Sequence, residues 1–207
     1  VTIRSPRLAL ARATAARTPV LDAAQVTLSR CAAKAGCAVR EANSLAEALS
    51  EGQCDAVIGI GGTGSGRRDD AVQELARRGQ IEAHGIAICP GETAALGFVG
   101  NRPVLLVPGR LDATLAVWLL IGRPLAARLA GGSIDGLPIT ASLRRKVIST
   151  IGMTEVISVS CSDGMAEPLG SGYLSLTALT RSDGWILVPA ASEGFAAGSE
   201  VTFNQWP

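Results

Sequence analysis

A glycine-rich turn between an apolar strand and a helix constrains this chain more than any other segment. Residues 58 to 70 read Ile58-Gly59-Ile60-Gly61-Gly62-Thr63-Gly64-Ser65-Gly66-Arg67-Arg68-Asp69-Asp70. They follow the β-type run Cys54-Asp55-Ala56-Val57 and precede the helical pattern Ala71-Val72-Gln73-Glu74-Leu75-Ala76-Arg77-Arg78. A buried strand that turns sharply into a helix is the unit of an α/β fold. Such a turn also holds anions well: glycines let the backbone come close, N–H groups point outward, and the helix dipole favours negative charge. Thr63, Ser65, two arginines and two aspartates in the same run favour an anionic ligand over a plain structural turn.

The first two-thirds of the chain repeat this alternation. Short strands are expected at residues 8–11, 37–40, 55–60, 86–88, 96–99 and 104–107. Helices are expected over 21–35, where Leu21, Ala24, Leu28 and Cys31 keep helical spacing, and from Ser44 to Leu49. Glu47 stands three residues after Ser44, as in a capping box, and Gly36 suits a helix C-terminus. A last helix runs from Leu111 to Leu129 and stops at Gly131-Gly132. This predicts a three-layer αβα sandwich with a mainly parallel sheet over residues 1–132. Ligands of such sheets sit at the carboxyl ends of strands, where the Gly61 loop and Pro108-Gly109-Arg110 both fall. After Gly132 the pattern changes to short strands at 138–149, 155–161, 184–188 and 200–203, with one small helix at 172–180. Residues 133–207 therefore read as a small all-β, barrel-like domain.

Composition narrows the function. Of the 207 residues, 47% are hydrophobic and 3% aromatic, so a large and mainly aliphatic core is available. A formal net charge of +1 argues against a general nucleic-acid binder. Cys31, Cys37, Cys54, Cys89 and Cys161 are odd in number and form no CxxC pair, and His84 is the single histidine. Free thiols in a cytosolic protein are expected, not a zinc site. No signal peptide precedes the first strand, and no membrane span is expected: the apolar run from Leu111 to Leu120 contains Asp112 and ends at Gly122-Arg123-Pro124. Because the chain begins at Val1, almost directly on a strand, it is expected to be part of a longer protein.

Gly61-Gly62-Thr63-Gly64 followed by Arg68-Asp69 resembles the signature of molybdopterin-binding domains. His84-Gly85-Ile86-Ala87-Ile88-Cys89-Pro90-Gly91-Glu92 and Val107-Pro108-Gly109 resemble two further motifs of the molybdopterin molybdenumtransferase family. The stretches from Gly170 to Thr177, from Ser182 to Pro189 and from Glu193 to Val201 resemble that family's small C-terminal β domain. The resemblance covers essentially the whole chain. It implies a molybdopterin-binding type of αβα domain and a role in molybdenum cofactor biosynthesis: molybdate is inserted into adenylylated molybdopterin with magnesium. It also implies a cytoplasmic homodimer, with molybdopterin, its adenylylated form and molybdate as partners and no nucleic acid or membrane. Matched to the motifs, Gly61, Gly62, Thr63, Gly64, Ser65, Pro90, Gly91, Pro108, Gly109, Arg110 and Asp112 would bind the pterin. Asp69 would be the catalytic and metal-binding carboxylate, or else a plain helix N-terminal charge.

The chain also departs from the family pattern. An acidic "T-G-D-E" turn is replaced by Ala13-Thr14-Ala15-Ala16, the lysine after Pro90-Gly91 is Glu92, and the loop after Gly109 becomes Arg110-Leu111-Asp112. The family's two N-terminal domains have no counterpart. A second reading therefore stands beside the enzyme: a non-catalytic molybdopterin-binding, carrier or dimerisation module. Among lesser candidates, His84 is expected to make a structural hydrogen bond and Cys89 to be a strand residue, not a molybdenum ligand. Trp118 and Trp185 are expected in the cores, and Arg144-Arg145-Lys146 at a solvated strand end.

Overall fold

The computed structural model describes residues 4–14, 17–64, 70–133 and 139–207. They fall into two compact units, one of Val1–Ile86 and Gly91–Ile134, the other of Ala87–Pro90 and Asp135–Pro207. The elements in chain order are β1 (Arg7–Arg12), α1 (Pro19–Lys34), β2 (Ala38–Ala42), α2 (Leu45–Ser50), β3 (Ala56–Ile60), α3 (Ala71–Arg78), β4 (Gln80–His84), β5 (Ile88–Cys89), β6 (Ala95–Val99), β7 (Arg102–Val107), α4 (Leu111–Val117), a π-helical turn (Trp118–Gly122) and α5 (Arg123–Ala130). After residue 138 come β8 (Ile139–Leu143), β9 (Val147–Ile148), β10 (Thr154–Ser162), β11 (Met165–Gly170), α6 (Leu176–Arg181), β12 (Gly184–Val188), β13 (Gly194–Phe195) and β14 (Glu200–Gln205).

In the first unit the sheet order is β2-β1-β3-β7-β6-β4. The four strands from β2 to β7 are parallel; β6 runs antiparallel to β7, and β4 antiparallel to β6. The central strands are apolar over their buried middle positions because both faces are covered there. Ala9, Ala11, Val57, Val104 and Leu106 pack with Leu45 and Leu49 of α2 and Leu75 of α3. Strand alternation turns Leu8, Leu10, Ile58, Ile60 and Leu105 to the opposite face, where α1 and α4 pack together. Each of these fully buried side chains stabilises the fold by about 1.5–3 kcal/mol.

Local chemistry sets the helix ends. Thr18 caps α1, its hydroxyl accepting from the Leu21 N–H at 3.3 Å. Ser44 caps α2 by accepting from the Glu47 N–H at 3.2 Å, and Glu47 reaches back to the Asn43 N–H at 3.1 Å. The expected capping box thus closes one residue earlier than the pattern requires. The last helix is continuous from Leu111 to Ala130, as its pattern up to Leu129 predicts, and it runs through Pro124. Pro124 carries no N–H to donate, and the helix adapts by widening: the Arg123 N–H bonds to Trp118 O, five residues back. A Cβ at Gly122 would lie 2.4 Å from the Trp118 ring, so glycine is needed where that ring lies on the backbone. Among the described residues this 20-residue segment is a helix long and apolar enough to cross a membrane by length and composition. Residues 112–119 are buried, and α4 packs on α1.

In the second unit, strands β11-β8-β14-β12-β10 form a sheet that closes through the β10–β11 pairing. The result is a small closed β-barrel. Its interior holds Leu143, Ile157, Val159, Ile186, Val188 and Phe203. Strand β11 is absent from the sequence reading because Glu167, Pro168 and Gly170 disguise it. The 86–88 segment, expected as a strand of the first sheet, instead supplies β5, which pairs in parallel with β10 in the second unit. Thr154 lies opposite Ile88 and Glu155 opposite Cys89, and the Thr154 N–H donates to Ala87 O at 2.9 Å. The small helix is α6, shorter than the expected 172–180, with Ser175 as its cap.

Candidate functional site

The carboxyl ends of β1, β3 and β7 lie side by side in the first unit. Arg12 is in register with Ile60, and Ile60 with Val107. The chain then turns at Gly61 and Gly62, which have φ of +85° and +69°. Both values favour glycine over L-residues. Two backbone bonds hold the turn: the Gly61 N–H donates to Val107 O at 2.8 Å and the Ala71 N–H to Gly62 O at 3.1 Å. Space is equally restrictive. A Cβ at Gly62 would sit 2.4 Å from the Ala13 carbonyl oxygen, and one at Gly109 would sit 2.6 Å from Leu21 Cδ2. A Cβ on Gly109 would also approach Gly61 Cα at 3.4 Å, so the two loops touch through glycines. Among the described residues no acceptor meets the N–H groups of Gly62, Thr63 and Gly64. Backbone donors at a strand-to-helix turn of this kind suit an anion.

Thr63 is 3% exposed, and its hydroxyl meets the Thr93 hydroxyl at 2.9 Å. His84 Nε2 lies 3.4 Å from Thr63 O. The single histidine therefore makes a structural contact to the loop. Its neighbour in that role, Thr93, carries no motif and was invisible in the sequence.

On the β7 side, the Thr114 hydroxyl donates to Pro108 O at 2.7 Å and fixes the loop on α4. Arg110 is the N-cap residue of α4, and Asp112, 3% exposed, is in its first turn. The Arg110 guanidinium grips Asp112 through Nε at 3.0 Å and Nη2 at 2.8 Å. The Asp112 carboxylate is thus committed to orienting Arg110.

On the β1 side stands a network that sequence reasoning missed. Arg12 donates from Nε to Gln25 Oε1 at 2.7 Å and pairs with Asp22. Gln25, itself 8% exposed, passes the chain on to Glu41 at 2.8 Å.

The predicted site residues are therefore distributed as follows. Gly61, Gly62, Thr63, Gly64, Pro108, Gly109, Arg110 and Asp112 lie on the carboxyl edge of the first sheet. Gly91 belongs to the first unit, where its N–H donates to Glu92 Oε2 at 2.8 Å, while Pro90 belongs to the second. Ser65, Asp69 and the Ala15-Ala16 turn lie outside the described residues. Among the described residues no three His, Cys, Asp or Glu side chains cluster as metal ligands would. Cys31, Cys37, Cys54 and Cys161 are free thiols. Cys89 contacts Gly172 O at 3.6 Å within the second unit. Trp118 and Trp185 are buried, as expected. Arg145 pairs with Glu167 and the Pro168 carbonyl on the barrel surface.

Comparison with known proteins agrees with this architecture. The family model described as MoeA C-terminal region (domain IV) matches residues 140–206. The MJ0666 protein of Methanocaldococcus jannaschii, named for molybdopterin biosynthesis, is 31% identical over 157 residues. That match takes in 74% of this chain and 36% of the relative. The molybdopterin biosynthesis MoeA protein from Pyrococcus horikosii superimposes with a TM-score of 0.79 at 21% identity, over 99% of this chain and 55% of that one. A molybdenum cofactor biosynthesis protein from Pyrococcus furiosus gives 0.75 at 20% identity, over 97% of this chain and 68% of that one. The chain thus spans about a third of its curated relative and about half of its first structural neighbour. The two low-identity superpositions establish the shared fold, and the sequence matches establish kinship: the chain belongs to the MoeA-like family of molybdenum cofactor biosynthesis.

Proposed function

We propose that the carboxyl edge of β1, β3 and β7 binds the phosphate of molybdopterin, or of its adenylylated form, and that the chain thereby assists molybdate insertion. One observation carries this reading: two consecutive left-handed glycines whose Cβ positions are blocked, opening three backbone N–H groups at the end of β3. A phosphate needs several donors at short range, and glycine lets them approach without a side chain between. Thr63, held by Thr93, and Arg110, held by Asp112, flank the cradle. The same reading has the chain act in the cytoplasm as a homodimer, both taken from the family resemblance.

Magnesium is the cation that the resemblance implies, and it would supply charge neutralisation as AMP leaves. Asp69 is its one candidate ligand from the motif. Among the described residues no three His, Cys, Asp or Glu side chains cluster as a site for it, and Asp112 is held by Arg110. The replacement of the acidic turn by Ala15 and Ala16, with Glu92 and Leu111 in the other motifs, favours a second reading, in which the chain binds the pterin and delivers it without chemistry.

A titration with molybdopterin and its adenylylated form, with and without magnesium and molybdate, separates the readings. Binding that Gly62→Val abolishes while hydrogen exchange shows β1 and β3 still protected, with AMP release that Asp69→Asn abolishes, supports the insertion role. Binding without AMP release supports the carrier. An absence of binding to either pterin overturns the ligand assignment.

A further inference from the structure

Arg12 is a charged side chain at the candidate edge that no family motif assigns. Its Cα is in register with Ile60, the residue before the Gly61-Gly62 turn. Adjacent strands lie about 4.8 Å apart, so a guanidinium here is within reach of anything the turn holds. The side chain projects to the α1 face, because it bonds Gln25 of α1. Leu21 of the same helix packs under Gly61 and Gly109, which places the arginine and both glycine loops on one side of the edge.

Its environment is built. Gln25 is 8% exposed, and both ends of its amide are used, one by Arg12 and one by Glu41. A buried amide with two fixed partners dictates the plane of the guanidinium. Asp22 behaves differently: its side chain is 54% exposed while that of Arg12 is 27% exposed. An exposed carboxylate is a weak, displaceable partner. A phosphate dianion offers more charge and the matched geometry for a guanidinium fork. Asp22 can swing into solvent from the first turn of α1 while Gln25 keeps the arginine aimed.

We propose that Arg12, oriented by Gln25, contacts the ligand's phosphate at this edge and makes the site selective for a phosphorylated ligand. The inference rests on the binding reading above. It adds a residue-specific claim: discrimination between phosphorylated and dephosphorylated pterin resides in one guanidinium, with Asp22 as a placeholder for the anion.

The test measures affinity for molybdopterin, for its dephosphorylated form and for inorganic pyrophosphate, using the parent chain, Arg12→Gln, Arg12→Lys and Gln25→Leu. Amide hydrogen exchange of β1 and β3 checks that each variant keeps the first unit. Arg12→Gln is expected to lose about 10- to 100-fold for the two phosphate-bearing ligands, the size of hydrogen bonds to a charged group, and nothing for the dephosphorylated pterin. Arg12→Lys should recover part of the loss, and Gln25→Leu should lose part while keeping the preference. If the parent binds molybdopterin and Arg12→Gln binds it equally well, the inference falls and the binding reading stands. A parent chain that binds neither pterin nor pyrophosphate overturns both. Pyrophosphate binding that depends on Arg12, without pterin binding, supports the arginine and overturns the pterin.

Discussion

Gly62→Ala should damage the first unit far more than a glycine substitution of similar dihedral elsewhere. Gly62 has φ of +69°, and left-handed backbone costs an L-residue about 1–2 kcal/mol. Its Cβ would lie 2.4 Å from the Ala13 carbonyl oxygen and 3.1 Å from Ala71 Cβ. The carbonyl cannot withdraw cheaply, because the Ala13 N–H donates to Ile60 O at 2.9 Å and pins β1 to β3. Forcing this contact adds about 1–3 kcal/mol, the usual cost of overpacking. The sum is about 2–5 kcal/mol. Gly36 provides the control: φ is +82°, and nothing lies within 4 Å of a Cβ built there. Gly36→Ala should cost only the dihedral, about 1–2 kcal/mol. Because the chain has two units, a single global transition is the wrong readout. Amide hydrogen exchange of β1, β3 and β7 under increasing urea reports the first unit alone. If Gly62→Ala lowers the opening free energy of those strands no more than Gly36→Ala does, the close approach of the turn to β1 is refuted.

Three further outcomes follow from other parts of the molecule. Burial pushes the Asp55 carboxyl up, but the Arg7 N–H and the Arg4 and Arg7 guanidinium groups more than offset it, so its pKa lies below the ordinary value. The unfolded chain then binds more protons near pH 4, and this stabilisation is present above about pH 4 and lost as pH falls toward the folded value; Asp55→Asn should flatten that acid limb in a pH series of unfolding midpoints. Burial raises the thiol pKa of Cys31 and Cys37, so neither should be alkylated by iodoacetamide at pH 7.5 until urea unfolds the first unit, and rapid labelling by mass spectrometry would refute their placement. Glu155, 5% exposed, accepts from the Gly172 N–H at 2.6 Å and from the Ser149 hydroxyl, so Glu155→Ala should lower barrel stability by about 1–3 kcal/mol in exchange measurements on β10, the loss of hydrogen bonds to a charged group.

Much of the first unit was legible because its signals are local. Apolar runs bounded by glycine, proline or capping residues mark β1, β3, β7 and α1 within one or two residues of where they lie. Strand β4 was not legible: Gln80-Ile81-Glu82-Ala83-His84 is largely exposed at the sheet edge and carries no continuous apolar run. Strand β5 was visible only through the apolar run 86–88, which overlaps it at Ile88, and its destination was not visible. Two residues have no period, and pairing with β10, more than sixty positions away, is a property of the assembled barrel. The same holds at the candidate site. Glycines announced the turn because left-handed backbone requires them, and Arg110 and Asp112 were found through their neighbourhood to Gly109. Thr93 and Gln25 could not be found, since their function arises only when a distant loop or helix brings them to Thr63 and Arg12.

The amino-acid sequence by itself determined most of the succession of strands and helices, the change to β structure in the last third, the position of the glycine turn and the family. Each of these depends on short-range chemistry: side-chain period, capping, and the backbone freedom of glycine. Only the tertiary structure decided which face of the first sheet meets α1, that Asp112 is spent on Arg110, that Gly61 and Gly109 nearly touch, and that Arg12 is aimed by a buried glutamine. These are contacts between residues remote in the chain, and their geometry is set by how helices and strands pack, which no window of sequence contains.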